Sequence, residues 1–391
     1  MKKVLIASTA LVAATVFSAG AASASEKIKL NLGGFSKWWV VGQWQDNSFQ
    51  ANNNQAGVQG DYNNVDVKGD SEIYFGGSTT LDNGLQVGID IQLEGQTETN
   101  ADVIDESYVW LAGGFGKVIV GSKNNGTYLI HNTAPDAAGN WNEGGIMTGH
   151  GTAIVKPNAV RTITPVGTTG NTTAILTDGD SDGITYVSPT FYGLTFGATY
   201  KPNSSEDDRS TVNLQNQVAG EIYGAGVLYA NTFGGVGVKA DFGWATYDLE
   251  TGGTGATLRG KTGVNEYSTG ANLSYAGFTL GGSYRQILAD TDATAAAANL
   301  DISGHAWDLG LQYASGPYAV SLSYFQSKVE GNVNNSAEDE IEFIQLSGKY
   351  NLGAGVDALA SVGHAKFEDE GGAQADENKG WVVMTGLSLA F

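Results

Sequence analysis

The sequence predicts an all-β fold, a transmembrane antiparallel β-barrel of about 16 strands, and three observations predict it. Short segments with a period of two, bounded by turn residues, recur along the whole chain. The connections between them sort by length, tight turns alternating with longer polar loops. The last segment, "GWVVMTGLSLAF", is an amphipathic strand that ends the chain on Phe391.

The chain begins with Lys2 and Lys3, an apolar run from Val4 to Phe17, and the small residues Ala22, Ser23 and Ala24. That is the layout of a secretory signal peptide in bacterial style, so residues 1–24 are expected to be removed and 25–391 to form a single domain. There is no cysteine, which excludes a lipid anchor through a thiol, disulfides, thiol catalysis and cysteine-based zinc sites. The formal net charge of −21 becomes −23 without Lys2 and Lys3, and a surface so acidic is not one that binds nucleic acid. Glycine (56 residues), tyrosine (17) and tryptophan (8) outweigh the six prolines, a composition that favours strands.

The strands follow in order. The first spans about 29–45, a polar loop follows, and the second spans 68–80 before the turn Leu81-Asp82-Asn83-Gly84. In 85–96, Leu85, Val87, Ile89, Ile91 and Leu93 share one face while Gln86, Asp90, Gln92 and Glu94 share the other. Strand pairs at 103–113 and 117–123, 183–191 and 194–202, 218–233 and 236–248, 265–276 and 278–288, and 302–314 and 318–330 each flank a tight turn. Strands at 340–351, 356–368 and 380–391 complete the set. So many strands favour closure, and closure pairs the last strand with the first, removing both edges. Short turns at one end and long loops at the other are the habit of outer-membrane barrels, whose apolar faces meet lipid. Aromatics beside the tight turns (Trp110, Phe115, Phe191, Tyr192, Phe233, Tyr275, Phe278, Tyr313, Tyr318 and Tyr350) read as an interfacial girdle.

"GGFGKVIVGSK" (113–123) resembles the strand–turn–strand that precedes the constriction loop of the Gram-negative general-diffusion porins. "DGITYVSPTFYGLTFGATYKP" (182–202) resembles the strand pair after that loop, and the terminal Phe391 fits the same family. The resemblance covers essentially the whole mature chain. It implies a 16-stranded trimeric barrel that passes small hydrophilic solutes, with the connection at about 124–181 folded into the lumen as the constriction loop. It also implies acidic groups on that loop facing a basic cluster on the barrel wall. The loop acids are Asp136 and Glu143; strand phase adds Asp90 and Glu94 to the lumen. The basic wall candidates are Lys37, Lys117, Lys123 and Arg285. The wall is thinly basic for the family, with only four arginines in the chain, so the expected preference is for cations.

In "DGDSDG" (178–183), Asp178, Asp180 and Asp182 have the spacing that opens a calcium loop. The closing Glu of an EF-hand is replaced by Pro189, so a calcium ion here would be structural, and a solvated turn is the alternative. Runs such as 206–208 and Glu368-Asp369-Glu370 read as solvated loop tips, with divalent ions bridging to lipopolysaccharide as a further role. The four histidines show no metal spacing and no serine stands in a nucleophile elbow, so no enzyme is expected. Two other functions fit less of the sequence. A channel selective for sugars or anions calls for a run of lumen aromatics, whereas the inward faces show mainly Asp, Glu, Gln, Ser and Gly. A secreted soluble β-protein such as an adhesin leaves the sorted loops and aromatic ring unexplained.

Overall fold

A computed structural model describes residues 27–52, 61–95, 104–139, 141–142, 145–146, 154–163, 171–176, 179–204, 219–251, 260–290, 303–332 and 335–391. The strands are β1 (Asn31–Gln45), β2 (Val65–Thr80), β3 (Gln86–Glu94), β4 (Ile104–Gly113) and β5 (Gly116–Ser122). Next come the two-residue strands β6 (Trp141–Asn142) and β7 (Gly145–Ile146), which pair only with each other. Then follow β8 (Asp182–Val187), β9 (Leu194–Asn203), β10 (Ala219–Phe233), β11 (Val236–Thr251) and β12 (Gly260–Tyr275). The last are β13 (Phe278–Asp290), β14 (Gly304–Ser315), β15 (Tyr318–Asn332), β16 (Asn335–Gly353), β17 (Val356–Glu368) and β18 (Asn378–Ala390). Apart from β6 and β7 they form one closed antiparallel barrel in which β18 pairs with β1, so the 16 predicted strands are all present. Closure satisfies the backbone of both terminal strands, which lipid could not do. The seam is finished by Phe391, whose amide and carbonyl both bond Gly34 at 3.1 Å.

Two-residue turns reverse the chain at one end. Gly234-Gly235, Ala276-Gly277 and Ala354-Gly355 have positive φ at both positions, the type I′ geometry whose twist matches the strands it joins. The other end carries the long connections, with one exception. The loop expected at 331–339 is mostly strand, since β15 and β16 extend to Asn332 and from Asn335. A short helix, α1 (Asn47–Asn52), starts the first long connection, its entry fixed by Ser48 N donating to Asp46 Oδ1 at 2.7 Å.

Alternation sets the two faces. Phe242, Leu280, Leu311, Leu322 and Leu346 point outward and are about half exposed, forming the lipid-facing band. Around the tight turns, Phe278 lies 4.6 Å from Tyr313 and Tyr318 lies 4.8 Å from Tyr350, ring to ring on neighbouring strands. These belong to the expected girdle. Trp110 does not. It pairs with Gly88, on the Asp90 side of β3, and its indole Nε1 donates to Asp90 Oδ2 at 2.8 Å, so it faces the lumen. Even phase on β4 puts Trp110 with Tyr108 and Glu106, and nearness to a turn says nothing about which face a side chain takes. Thr385, the polar exception on the outer face of β18, donates to the Leu359 carbonyl at 3.4 Å.

Candidate functional site

The interior is divided between two walls. From β9 round to β18 the inward side chains are mostly buried toward the loop end, because the long connection after β5 lies against them. From β2 to β5 most inward side chains are only half-buried, Glu106 and Ile119 being the buried exceptions. Among the described residues, the side of the lumen left uncovered by the loop is therefore the β2–β5 wall.

The long connection is pinned to the covered wall by one short polar contact after another. Thr199 on β9 accepts from Gly126 N at 2.6 Å, and Asp241 on β11 accepts from Asn132 N at 2.9 Å. Asp308 on β14 accepts from Ala134 N at 3.2 Å, and Ser321 on β15 from Ala137 N at 2.8 Å. Gln45 on β1 accepts from Val155 N at 3.0 Å, and Asp339 on β16 from Arg161 N at 2.9 Å. Glycines on the wall admit the loop backbone closely: a Cβ at Gly270 would run into the Asn132 carbonyl, and one at Gly310 would lie 3.1 Å from Ala134. Farther along, Ile154, Val160 and Ile163 of the loop join Trp39, Val41, Phe325, Phe343, Phe367, Val382 and Met384 in one buried cluster. Each such side chain, once buried, stabilises the seating by about 1.5–3 kcal/mol. The inward faces thus carry more aromatic residues than the sequence reading allowed, and these three phenylalanines seat the loop instead of lining a water path.

Beneath the loop lies a fully buried ion pair. Arg285 Nη2 is 2.6 Å from Glu266 Oε2, both side chains are 0% exposed, and Tyr247 donates to the same carboxylate at 2.7 Å. Arg285 therefore points inward as its phase predicts, but it neutralises Glu266 and reaches the Thr172 carbonyl instead of presenting charge to solvent. A second buried cluster links His131 Nδ1 to Asp241 at 2.8 Å and His131 Nε2 to Thr173 at 3.3 Å.

The bare wall holds the other predicted residues. Asp90 and Glu94 face inward on β3, paired across to Gly76 and Glu72 on β2. Lys117 and Lys123 face inward from β5 and its end. Lys123 is bound to Glu106, 2.6 Å from Oε2, whereas Lys117 lies over the rings of Trp110 (4.6 Å) and Tyr108 (5.9 Å). Lys37 on β1 donates to the Gly139 carbonyl of the loop at 2.9 Å and has Asp136 and Asp70 as its electrostatic neighbours. Asp136 itself is held by Ser321 Oγ (3.2 Å) and Gln345 Nε2 (3.3 Å), within electrostatic reach of Lys37. Glu143 lies outside the described residues.

Sequence reading missed Asp70, Glu72, Asp105 and Glu106. Register puts Asp70 and Glu72 on the same face as Lys37 and Phe35, and the carboxylates of Glu72, Glu94 and Asp105 approach within 4.8 Å of one another. The even phase of β2 was available as a signal; the bulge that turns Asp105 inward was not.

The proposed calcium ligands fare differently. Asp178 lies outside the described residues, and Asp180 and Asp182 join no group of three ligands among the described residues. Asp182 pairs with Ser122 in the phase of Ile184. Burial pushes the Asp180 carboxyl up to about 8, with Asp105 and Glu106 adding to the effect and Lys201 and Lys123 partly offsetting it.

A closed 16-stranded barrel, narrowed by a loop pinned inside it, is the geometry against which known proteins can be compared. The sequence pattern of the Gram-negative porins matches residues 7–370. The chain belongs to the Gram-negative porin family. Among curated protein sequences nothing matches it. Among solved structures, an anion-selective porin from Comamonas acidovorans is 18% identical, with a TM-score of 0.64 over 93% of this chain and 100% of that one. OmpT of Vibrio cholerae in its trimer form is 13% identical, with a TM-score of 0.59 over 94% and 100%. OmpF of Salmonella typhi, in complex with daunomycin, is 16% identical, with a TM-score of 0.55 over 93% and 98%. At these identities the likeness is one of fold. As a porin the protein resides in the outer membrane, and its lumen is a diffusion path for solutes.

Proposed function

We propose that this porin is a water-filled channel with a preference for cations, working as a homotrimer after removal of residues 1–24. The observation that carries the preference is the bare wall. Asp70, Glu72, Asp90, Glu94 and Asp105 stand there against Lys68 and Lys117, while Lys123 and the buried Glu106 neutralise each other and Lys37 of β1 is bound to the loop. Arg285 and Glu266 cancel each other under the loop and add nothing to the water path. A narrow passage lined by excess carboxylates lowers the cost of a cation and raises that of an anion.

The trimer draws support from the outer face. At the loop end of β1, β2 and β4, Trp44, Val65, Val67 and Ile104 are exposed and apolar, a surface suited to a neighbouring subunit. On the other side, Lys328 is paired with Glu340 (3.7 Å), and Lys366 with Glu342 (3.8 Å) and Glu368 (2.8 Å), at the same end. That charged edge suits the headgroup layer, including lipopolysaccharide. The test is the reversal potential of single channels in a planar bilayer under a KCl gradient. Cation-signed potentials are expected; an anion-signed potential, as the name of the Comamonas porin would imply for that protein, sinks the electrostatic reading.

A further inference from the structure

We propose that the bare wall contains a subsite for small zwitterionic solutes bearing an apolar or aromatic group, built by Lys117, Trp110, Asp90 and Tyr108. It goes beyond passive diffusion, giving the channel a weak, saturable affinity, and it rests on the lumen being open to solutes.

The subsite begins with Gly88. A Cβ there would collide with the indole of Trp110, so only glycine leaves the recess in which that ring lies against the wall. The ring is fixed in the recess by its Nε1 donating to Asp90 Oδ2 at 2.8 Å. Its other contact is the Lys117 ammonium, 4.6 Å from the ring centroid and 5.9 Å from that of Tyr108. Among the described residues Lys117 has no hydrogen bond and no ion pair; Asp90 attracts it without touching it. The neighbouring Lys123, by contrast, is bound by both Glu106 oxygens at 2.6 and 2.7 Å. An ammonium held over two rings, with its donors unspent, is a place for a carboxylate.

The rest of the wall decides which carboxylate. Glu72, Glu94 and Asp105 repel a net anion, so the solute that reaches Lys117 with its carboxylate must bring a cation of its own. Asp90 is the partner for that cation, since one of its oxygens is taken by Trp110 and the carboxylate can accept further bonds. Beside the two charges lie the rings of Trp110 and Tyr108, the latter also under the Lys123 ammonium at 5.5 Å, and their free edges take an apolar group. Ammonium, carboxylate and apolar group on one small solute is the pattern of an amino acid.

The experiment uses single channels of the mature protein, residues 25–391, in KCl, with phenylalanine as the probe. Phenylalanine is expected to reduce the current saturably. N-acetylphenylalanine, without the ammonium, and phenylalaninamide, without the carboxylate, are expected to act about tenfold more weakly, the usual worth of one charge-assisted hydrogen bond. Lys117→Gln should weaken phenylalanine to the level of phenylalaninamide, and Lys117→Arg should restore it, which separates loss of the charge from misfolding. Equal block by all three solutes, no block by phenylalanine, or an unchanged response in Lys117→Gln overturns the proposal. A protein that conducts no KCl at all would instead overturn the channel reading.

Discussion

The two walls of the barrel are made from the same alternating strands but have opposite interiors. The wall from β9 to β18 carries glycines, hydroxyls and phenylalanines inward, and many of these seat the loop. The wall from β2 to β5 carries carboxylates, lysines and two fixed rings, and apart from the buried Glu106 these are not covered by the described loop residues. A covered wall fixes the width of the passage, and a bare wall fixes what the passage prefers. Charge on the first is a matter of stability, while charge on the second is a matter of permeation.

The largest expected effect tests that division directly. Arg285→Met leaves Glu266 buried without its partner and should cost about 3–5 kcal/mol, seen as a lower thermal unfolding midpoint in detergent. Lys117→Met on the bare wall should change stability by no more than about 0.5 kcal/mol. Comparable losses from both would erase the distinction between the walls. Next in size, Gly270→Val pushes a side chain into the Asn132 carbonyl and should cost about 1–3 kcal/mol of overpacking. Faster proteolysis within 124–181 than in the parent protein is the readout; an unchanged cleavage rate would mean the loop does not rest on that glycine.

At the seam between the walls sits Asp180. Its folded carboxyl is pushed up to about 8 by burial, above its unfolded value, so the folded state keeps a proton that the unfolded state gives up. This contribution to stability is fully present at acid pH and is lost as the pH rises toward 8. The slope is at most about 1.4 kcal/mol per pH unit, less in proportion to the water that reaches the group. Asp180→Asn should flatten the dependence between pH 5 and pH 8, values chosen as roughly the window between the two ionisation states. Unfolding midpoints that fall equally with pH in both proteins would assign the effect elsewhere. The smallest stability effect carries the sharpest functional one. Asp90→Asn combined with Glu94→Gln should leave the unfolding midpoint within about 0.5 kcal/mol yet move the reversal potential toward zero. The same exchange at Glu266, on the covered wall, should not alter the sign or size of selectivity in any protein that still folds.

Strand phase in the sequence correctly assigned Asp90, Glu94, Lys37, Lys117 and Arg285 to the lumen, because a period of two is a local property of the backbone. The same period placed Leu280 and Leu346 against lipid. What it could not say is whether an inward residue meets water or meets the loop. Arg285 and Lys117 look alike in sequence, each a lone cation among small or apolar neighbours. They differ because a loop more than 100 residues away in sequence, at Thr172, covers one, and none of the described loop residues covers the other. Trp110 was misread for a related reason: its position beside a turn is visible in the sequence, but the recess over Gly88 that receives its indole exists only once β3 and β4 pair in register.

The sequence by itself therefore determined the strands, their two faces, the closing seam at Phe391 and the long connection, since each rests on alternation, turn residues or length. Tertiary structure alone decided which half of the lumen the described loop residues cover. That choice depends on glycines and hydroxyls spread over successive strands, each a weak preference, acting together only when closure brings them to one surface against one loop.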